Sequence, residues 1–413
     1  MMRMRLLSKA PALAARALSS QAGSSAAAAS TSSLGLYSYG EGYLGSLGTG
    51  SYANVAAPTQ LPDTAELHVT QLSAGWAHAG FVTQQGDAFV FGRTLSFRDV
   101  IRSTNIQRIA PWLLSWMNDF TQRRGVDTLV PARVALPDGE RATKIVCSAA
   151  LTLVLTDSGK LFTFGANFFG QCGNNREGVS EIEPQLVDFD GDEVADISAG
   201  FQHGLAVTKQ GAVFSWGKGE RGQLGFGTAN IKAPQEIIAL KGKKVVQVSA
   251  GFNHSSARTD DGELFVWGKL LNLQGKGESE SDGDQVIPRL VRTSDAVTML
   301  TCSHFHTSYI TADDKIWIVG RTPSGRQEKQ EQLVYVNSAM HATPFQITNE
   351  QLVAAKSVKT IGKGVDSTYF VTNDGNAFEW TYTTGLRRVD ETNDMKVHSL
   401  ESGFKYRLLL AEP

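Results

Sequence analysis

The sequence predicts an all-β protein, a seven-bladed β-propeller of four-stranded antiparallel blades whose closing blade is shared between the N- and C-terminal strands. Two observations lead to this prediction. A unit of about 50 residues, with three short strands and glycine-bearing turns, recurs along the chain. The chain also begins and ends with incomplete copies of that unit, and the two incomplete copies complement each other.

The cleanest copy of the unit spans residues 194–225. Two runs of alternating apolar and polar residues are followed by an apolar run at Val213–Trp216, and glycine-bearing turns separate the runs. Period-two alternation between such turns favours antiparallel strands over helices. The pattern returns 51 residues later with identical internal spacing, so the unit is a repeat. Gly251, His254, Gly262, Trp267 and Gly268 repeat Gly200, His203, Gly211, Trp216 and Gly217.

The glycine that ends the third strand marks each copy of the repeat. It occurs at Gly40, Gly92, Gly165, Gly217, Gly268 and Gly320. Successive spacings are 52, 73, 52, 51 and 52 residues, so one repeat carries an insertion of about 21 residues.

A Pro-x-x-aliphatic marker follows each third strand and predicts a fourth. Because proline cannot donate to a strand ladder, we expect it at the first residue of an outer edge strand. The marker occurs as Pro58–Leu61, Pro131–Val134, Pro184–Val187, Pro234–Ile237, Pro288–Val291 and Pro344–Ile347.

The two ends of the chain predict how the ring closes. Leu36–Gly40 is a third strand with no first or second strand before it, and Val397–Leu410 supplies a first and second strand with nothing after them. Either half-blade alone would leave an unpaired edge. Joining them completes one blade, so six internal units and one shared unit make seven.

The repeated markers resemble the regulator-of-chromosome-condensation repeat family over about residues 34–410. The resemblance is strongest in the third and fourth units, where Gly222–Gly225 (Gly-Gln-Leu-Gly) completes the family signature. It is weakest in the sixth, where Ser367 replaces the histidine and Thr381 stands where glycine is expected. The resemblance implies a seven-bladed propeller with a split closing blade. The run FFGQCG at 168–173 is especially similar to the mitochondrial branch of the family.

This resemblance also implies a function. One member of the family promotes nucleotide exchange on a small GTPase through a loop and one propeller face. The mitochondrial branch is associated with ribosomal-RNA maturation and mitochondrial ribosome assembly, and with exchange on a dynamin-type GTPase. We therefore expect a non-enzymatic, monomeric scaffold that binds mitoribosome assembly factors. The alternative is a guanine nucleotide exchange factor for a mitochondrial GTPase. The resemblance implies no cofactor, and no catalytic residue can be carried over.

Residues 1–33 have the composition of a disordered mitochondrial transit peptide. No acidic residue precedes Glu41, and Arg16 interrupts the apolar run that a secretory signal would need. An untargeted disordered tail is the alternative. Targeting would place the protein in the matrix or peripherally at the inner membrane; no stretch of about 18 apolar residues predicts a membrane span. The leader's only charged residues are Arg3, Arg5, Lys9 and Arg16.

Removal of the leader would leave 35 Lys and Arg against 41 Asp and Glu, a net charge of −6. This balance argues against a protein coated in positive charge for nucleic-acid binding.

The insertion at about residues 93–140 is locally basic and predicts an inserted arm. Its aromatic and aliphatic residues fall at helical spacing after Pro111, which suits a first helical turn. Such a helix could pack its aromatic side on the propeller. Alternatively, the arm binds a partner, either a protein or ribosomal RNA, because tryptophan and arginine anchor interfaces and long loops on rigid scaffolds carry function. The candidate partner-binding residues are Arg98, Arg102, Arg108, Trp112, Trp116, Arg123 and Arg124.

The remaining chemistry-bearing residues predict structural roles. Four histidines recur at one position of the repeat, so the ring separates them, and we interpret each as fixing backbone groups within its own blade instead of binding metal. They are His78, His203, His254 and His306. Three cysteines, an odd number, offer no disulfide framework and are interpreted as small buried residues. Neither Lys276 nor Lys363 has the flanking residues of a phosphate-binding loop. The sequence therefore assigns no metal, cofactor or catalytic site.

Overall fold

The protein is described by a computed structural model that covers residues 34–94, 127–149, 151–178, 180–269, 285–323, 326–329, 332–335, 338–347, 358–381 and 384–413. Within these ranges the backbone forms seven four-stranded antiparallel sheets and one separate two-stranded hairpin. The innermost strand of each sheet packs against the next sheet around the ring. The prediction of a seven-bladed propeller is confirmed.

The strands follow the chain in blade order. The chain starts with two strands of the closing blade, blade 7: β1 (Gly35–Gly40) and β2 (Val55–Gln60). Blade 1 contains β3 (Val69–Ala74), β4 (His78–Thr83), β5 (Ala88–Gly92) and β6 (Thr128–Arg133). Blade 2 contains β7 (Ala142–Cys147), β8 (Leu151–Thr156), β9 (Leu161–Gly165) and β10 (Glu181–Val187). Blade 3 contains β11 (Val194–Ala199), β12 (His203–Thr208), β13 (Val213–Gly217) and β14 (Ile231–Glu236).

The second half of the chain completes the ring. Blade 4 contains β15 (Val245–Ala250), β16 (His254–Thr259), β17 (Leu264–Gly268) and β18 (Gln285–Val291). Blade 5 contains β19 (Val297–Cys302), β20 (His306–Thr311), β21 (Ile316–Pro323) and, after a hairpin of β22 (Arg326–Lys329) and β23 (Gln332–Tyr335), β24 (Ser338–Ile347). Blade 6 contains β25 (Val358–Lys363), β26 (Ser367–Thr372), β27 (Ala377–Thr381) and β28 (Gly385–Arg388). Blade 7 ends with β29 (Lys396–Ser402) and β30 (Tyr406–Glu412). Short 3-10 helices lie at Tyr43–Gly45, Ile238–Leu240 and Asp390–Thr392.

The closing blade joins the two ends of the chain as predicted. Strand β1 pairs antiparallel with β30, from Gly35 opposite Ala411 to Gly40 opposite Tyr406. The strand order of this sheet is β29, β30, β1, β2 from the centre outwards. Leu36 is fully buried in a cluster that also contains residues of blade 1. The pairing therefore closes the ring.

The apolar core lies between neighbouring blades. The second strand of each blade has both faces covered, so all six residues of β12 are buried. Trp216 of β13 is fully buried in a cluster that includes Val146 and Leu151 of blade 2. Because each blade contributes apolar side chains to the cores on both of its sides, one missing blade edge would expose residues of two cores.

The proline of the fourth strand is not its first residue, which corrects the sequence prediction. Pro131 lies inside β6. Val90 of β5 is opposite Ala132, but Gly92 is opposite Thr128, so the fourth strand bulges where the proline lies. The bulge interrupts the ladder, and a residue without an N–H group is tolerated there.

His78, His203 and His306 bond through Nε2 to the next blade and not within their own, so that interpretation was wrong for these three. The His78 ring lies 3.0 Å from the Thr152 hydroxyl of blade 2, measured from Nε2 to Oγ1. The corresponding distance from His203 to Ser255 is 2.9 Å. In each case the partner belongs to the next blade. Tyr406 takes the histidine position in blade 7, and its hydroxyl donates to the His78 carbonyl of blade 1 at 2.8 Å. This position therefore links blade 1 to blade 2, blade 3 to blade 4, blade 5 to blade 6 and blade 7 to blade 1.

Acidification is expected to destabilise the propeller through these histidines. Burial lowers the pKa of His78, His203 and His306 to about 3 and that of His254 to about 4. The unfolded chain, with a histidine pKa near 6.5, then binds more protons than the folded chain at pH values between these limits. The stability contributed by the neutral histidines is therefore fully present above about pH 6.5. Below that pH the unfolding free energy falls, by about 2 kcal/mol per histidine at pH 5.

Urea unfolding at pH 7, 6 and 5 measures this loss. The slope of the unfolding free energy against pH measures the number of protons taken up on unfolding. His203→Gln is expected to reduce this number by about one. An unfolding free energy that stays constant from pH 7 to 5 would contradict the role of the buried neutral histidines.

Candidate functional site

One end of the propeller collects two connections from every blade. Because the strands are antiparallel, the first-to-second and third-to-fourth connections of a blade leave the sheet at the same end; in blade 1, His78 at the start of β4 pairs with Gly92 at the end of β5. We call this end the loop face. The insertion of blade 1, which follows Gly92, therefore departs from the loop face.

Six aromatic side chains meet at the centre of the loop face, and we call them the aromatic cluster. The ring of Trp76 stacks on Phe404 with centroids 4.6 Å apart and on His304 with centroids 5.6 Å apart. Phe201 stacks on Phe252 at 4.0 Å. All six rings are partly exposed. The members are Trp76, Phe201, Phe252, His304, Phe305 and Phe404.

Backbone hydrogen bonds between blades hold the cluster. The Trp76 N–H donates to the Ser148 carbonyl of blade 2 at 2.8 Å, and the Phe404 N–H donates to the Trp76 carbonyl at 3.1 Å. Burial and the charge of Lys363 lower the pKa of His304 to about 3, so this ring is neutral at physiological pH. The cluster is thus an uncharged, preorganised aromatic surface.

The aromatic cluster was not predicted, although the sequence contains a signal for it. Each contributing loop places an aromatic residue or histidine directly after the marker position that ends the first strand, as in Gly75–Trp76 and Gly200–Phe201. Each of these repeats contributes only one or two such residues, so the cluster can be recognised only once the ring brings the five loops together.

The central channel below the aromatic cluster is narrow. Small residues of the first strands line it and leave a cavity of ≈ 30 Å³. Lys363 stands where the other blades have alanine, cysteine or serine, and its Nζ donates across the channel to the Cys147 carbonyl at 3.1 Å. Burial raises the pKa of the Cys147 and Cys302 thiols, so both remain protonated and unreactive. All three cysteines are buried, as predicted.

The root of the insertion is fixed by a buried ion pair. Arg93 donates to Asp127 through Nε at 2.6 Å and through Nη2 at 2.9 Å. The two side chains are 3 % and 0 % exposed, so water does not screen the pair. The Tyr52 hydroxyl of blade 7 adds a bond to Asp127 at 3.1 Å, and burial together with this carboxylate raises the pKa of Tyr52 to about 12. We call these three residues the clasp.

The described part of the predicted 93–140 arm is not helical. Arg93 leads out of β5, Asp127 leads into β6, and residues 128–133 are the fourth strand of blade 1. The predicted helix lies outside the described residues. The same holds for all seven candidate partner-binding residues: Arg98, Arg102, Arg108, Trp112, Trp116, Arg123 and Arg124.

Within the described ranges, no group of three or more His, Cys, Asp or Glu side chains is placed to hold a metal ion. No helix there is long and apolar enough to span a bilayer.

The sequence matches known proteins over its repeats. The profile of the RCC1-like domain family matches residues 5–301. The chain is 29% identical over 278 residues to human E3 ubiquitin-protein ligase HERC2, covering 66% of this chain and 5% of that protein. It is 29% identical over 241 residues to the mitochondrial RCC1 domain-containing protein RUG3 of Arabidopsis thaliana, covering 58% and 51%. It is 28% identical over 255 residues to the secretion-regulating guanine nucleotide exchange factor of Bos taurus, covering 60% and 50%. The chain thus spans about half or less of these relatives' lengths.

Two solved structures share the fold. Human WBSCR16 superposes with a TM-score of 0.71 at 21% identity, covering 92% of this chain and 99% of that one. Prp20p of Saccharomyces cerevisiae, a protein with described binding to Gsp1p and histones, superposes with a TM-score of 0.69 at 17% identity, covering 92% of each chain.

Proposed function

The chain belongs to the RCC1-like domain family, and we propose that it is a non-enzymatic mitochondrial scaffold that binds protein or ribonucleoprotein partners in mitochondrial ribosome assembly or rRNA maturation. The observation that carries this proposal is that the insertion of blade 1 leaves the ring at the face that holds the aromatic cluster. The clasp fixes both ends of that insertion.

The geometry supports binding more than catalysis. Aromatic rings such as Trp76 and Phe404, held by backbone bonds between blades, lose little conformational entropy when a partner covers them. A regular ring presents similar loops on each blade, so partner choice requires a departure from the repeat. The insertion is the largest departure, and its basic, tryptophan-containing sequence suits an interface.

The mitochondrial assignment has two supports. Residues 1–33 are basic, contain no acid and are rich in serine. The relative RUG3 is a mitochondrial RCC1-domain protein, although the chain covers only 51% of it. Both supports concern the location of the protein.

Nucleotide exchange on a mitochondrial GTPase is the second candidate function. The observation that favours it is the similarity to the secretion-regulating guanine nucleotide exchange factor. An exchange factor acts by binding the GTPase and requires no nucleotide site of its own. The loop face would then bind the GTPase directly.

Affinity capture of the tagged full chain from mitochondria, followed by mass spectrometry, tests the proposal. We expect mitoribosomal proteins and rRNA-modifying factors to be enriched. Replacing residues 98–126 by a short Gly-Ser link, which keeps the clasp, is expected to remove these partners without lowering the melting temperature. Reversal of Arg123 and Arg124 to Glu is the matched charge variant; loss of co-purified RNA, with steep salt dependence, would indicate phosphate contacts.

Other outcomes of the capture have defined meanings. Enrichment of a single GTPase, together with faster release of labelled GDP and no GTP hydrolysis, would select nucleotide exchange. Absence of the chain from mitochondria would contradict the location. An unchanged capture profile after replacement of 98–126 would contradict the role of the insertion.

A further inference from the structure

In blades 2 and 3 the connection between the third and fourth strands covers the groove between that blade and the next one. Residues 219–225 of blade 3 form two consecutive turns, with the Gly222 N–H on the Gly219 carbonyl at 2.7 Å and the Gly225 N–H on the Gly222 carbonyl at 3.0 Å. We call this segment, and its blade 2 counterpart around Gln171, a seal loop.

The next blade bonds the seal loop through a backbone carbonyl. The Gln223 carbonyl accepts from Trp267 Nε1 at 2.8 Å and from the Ser255 hydroxyl at 2.8 Å, both in blade 4. One blade earlier, the Gln171 carbonyl accepts from Trp216 Nε1 at 2.9 Å. The groove position is thus built to hold a turn that presents a carbonyl group.

The third-to-fourth connection of blade 6 is too short to form such a loop. Strand β27 ends at Thr381 and β28 begins at Gly385, so residues 382–384 alone make the connection that residues 218–230 make in blade 3. A cavity of ≈ 310 Å³ lies at this place, between blades 6 and 7, and we call it the notch. The aromatic cluster forms part of its wall, through residues that include Trp76 and Phe404.

Blade 7 still carries a hydrogen-bonding group at the position that would bind the loop. Tyr39 takes the place of Trp267 in the repeat, lines the notch and is 3% exposed. Its hydroxyl has no hydrogen-bond partner among the described residues. A buried hydroxyl without a partner is unfavourable, and a carbonyl group brought into the notch would relieve this by accepting its hydrogen bond.

A charged residue replaces the serine whose hydroxyl binds the seal loop. Arg407 occupies the position of Ser255 and lies over the Tyr39 ring at 5.4 Å. Glu379 binds the Arg407 guanidinium at 3.2 Å and accepts the Tyr369 hydroxyl at 2.7 Å. The Arg407 side chain is 22% exposed and lines the notch, so it adds a donor for a second oxygen there.

We propose that the notch is a docking site for a loop of a protein partner, a glycine-containing turn that presents a backbone carbonyl to the Tyr39 hydroxyl. Such a turn would take the place that the seal loop has in blades 2 and 3. The proposal rests on the proposed scaffold function and names the chemistry of one partner contact.

A synthetic, dye-labelled peptide of residues 218–230 serves as the probe, because it contains the seal loop of this chain. We expect saturable binding to the purified full chain by fluorescence anisotropy, about fivefold or more weaker binding to Tyr39→Phe, and no binding of a scrambled peptide. Tyr37→Phe, on the same strand and outside the notch, is the matched control and should bind normally.

A second variant fills the notch from within the chain. Replacing residues 382–384 by the sequence of 218–230 should abolish peptide binding, and its melting curve reports whether it folds. Equal peptide binding by this folded variant and by the native chain would overturn the proposal, as would failure of the native chain to bind the peptide. A native dimer that this variant converts to a monomer would also overturn it, because the occupant would be a second copy. None of these outcomes depends on mitochondrial capture, so the scaffold function stands or fails separately.

Discussion

Deletion of residues 34–45, which removes β1, is expected to unfold the protein or to drive it into aggregates. The deletion leaves β30 with an unpaired edge along its whole length, because β1 pairs with it from Gly35 to Gly40. It also removes Leu36 and Tyr39, which are 0% and 3% exposed. Each large apolar side chain contributes roughly 1.5–3 kcal/mol when buried. Against a total stability of about 5–15 kcal/mol, losing these side chains and exposing their neighbours is enough to unfold the ring.

Circular dichroism melting and size-exclusion chromatography measure this effect. Deletion of residues 1–33 is the control, since the leader is predicted to lie outside the fold, and it should leave the melting temperature unchanged. Leu36→Ala is a graded version with an expected cost of about 2–5 kcal/mol. A monomeric 34–45 deletion variant that melts at the native temperature would show that β1 does not close the ring.

Asp127→Ala is expected to destabilise the protein by about 3–5 kcal/mol. The change leaves the Arg93 guanidinium buried, with a side chain only 3% exposed, and without the carboxylate that binds it twice. It also removes the acceptor of the Tyr52 hydroxyl. The magnitude follows from burying the guanidinium without its carboxylate more than from the attraction that is lost.

Urea unfolding at pH 7 compares Asp127→Ala with a solvent-exposed pair. Lys209 bonds to Glu193 with side chains 55% and 53% exposed, so Lys209→Ala should cost less than about 1 kcal/mol. Replacement of both clasp charges, Arg93→Met with Asp127→Leu, should recover part of the lost stability. Equal costs for Asp127→Ala and Lys209→Ala would contradict the structural role of the clasp.

The strands and the blade count could be predicted because their signals are local. Period-two alternation and the glycine after each third strand occur within one repeat, and the strand ends at Gly40, Gly92 and Gly217 are confirmed. The partners of the histidines could not be predicted in the same way. His203 bonds to Ser255, 52 residues away, and the spacing inside one repeat says nothing about the distance to the next blade.

The candidate site was only partly predictable for the same reason. The basic insertion is visible in the sequence, but the Arg93–Asp127 pair that fixes it joins residues 34 positions apart. Trp76 and Phe404 stack although they lie at opposite ends of the chain, and only ring closure brings them together. The notch exists because the third-to-fourth connection is short in blade 6. Its importance can be seen only by comparison with the same connection in blades 2 and 3.

The pairing of β1 with β30 also determines how the ring responds to mechanical force. Gly35 lies opposite Ala411, so β1 begins and β30 ends at the same end of the sheet, away from the loop face. A force that separates the two ends acts across the first hydrogen bonds of the ladder and breaks them in succession instead of loading them together. A molecular motor that pulls on one end of the chain would therefore unzip the closing blade at low force and open the ring from its seam.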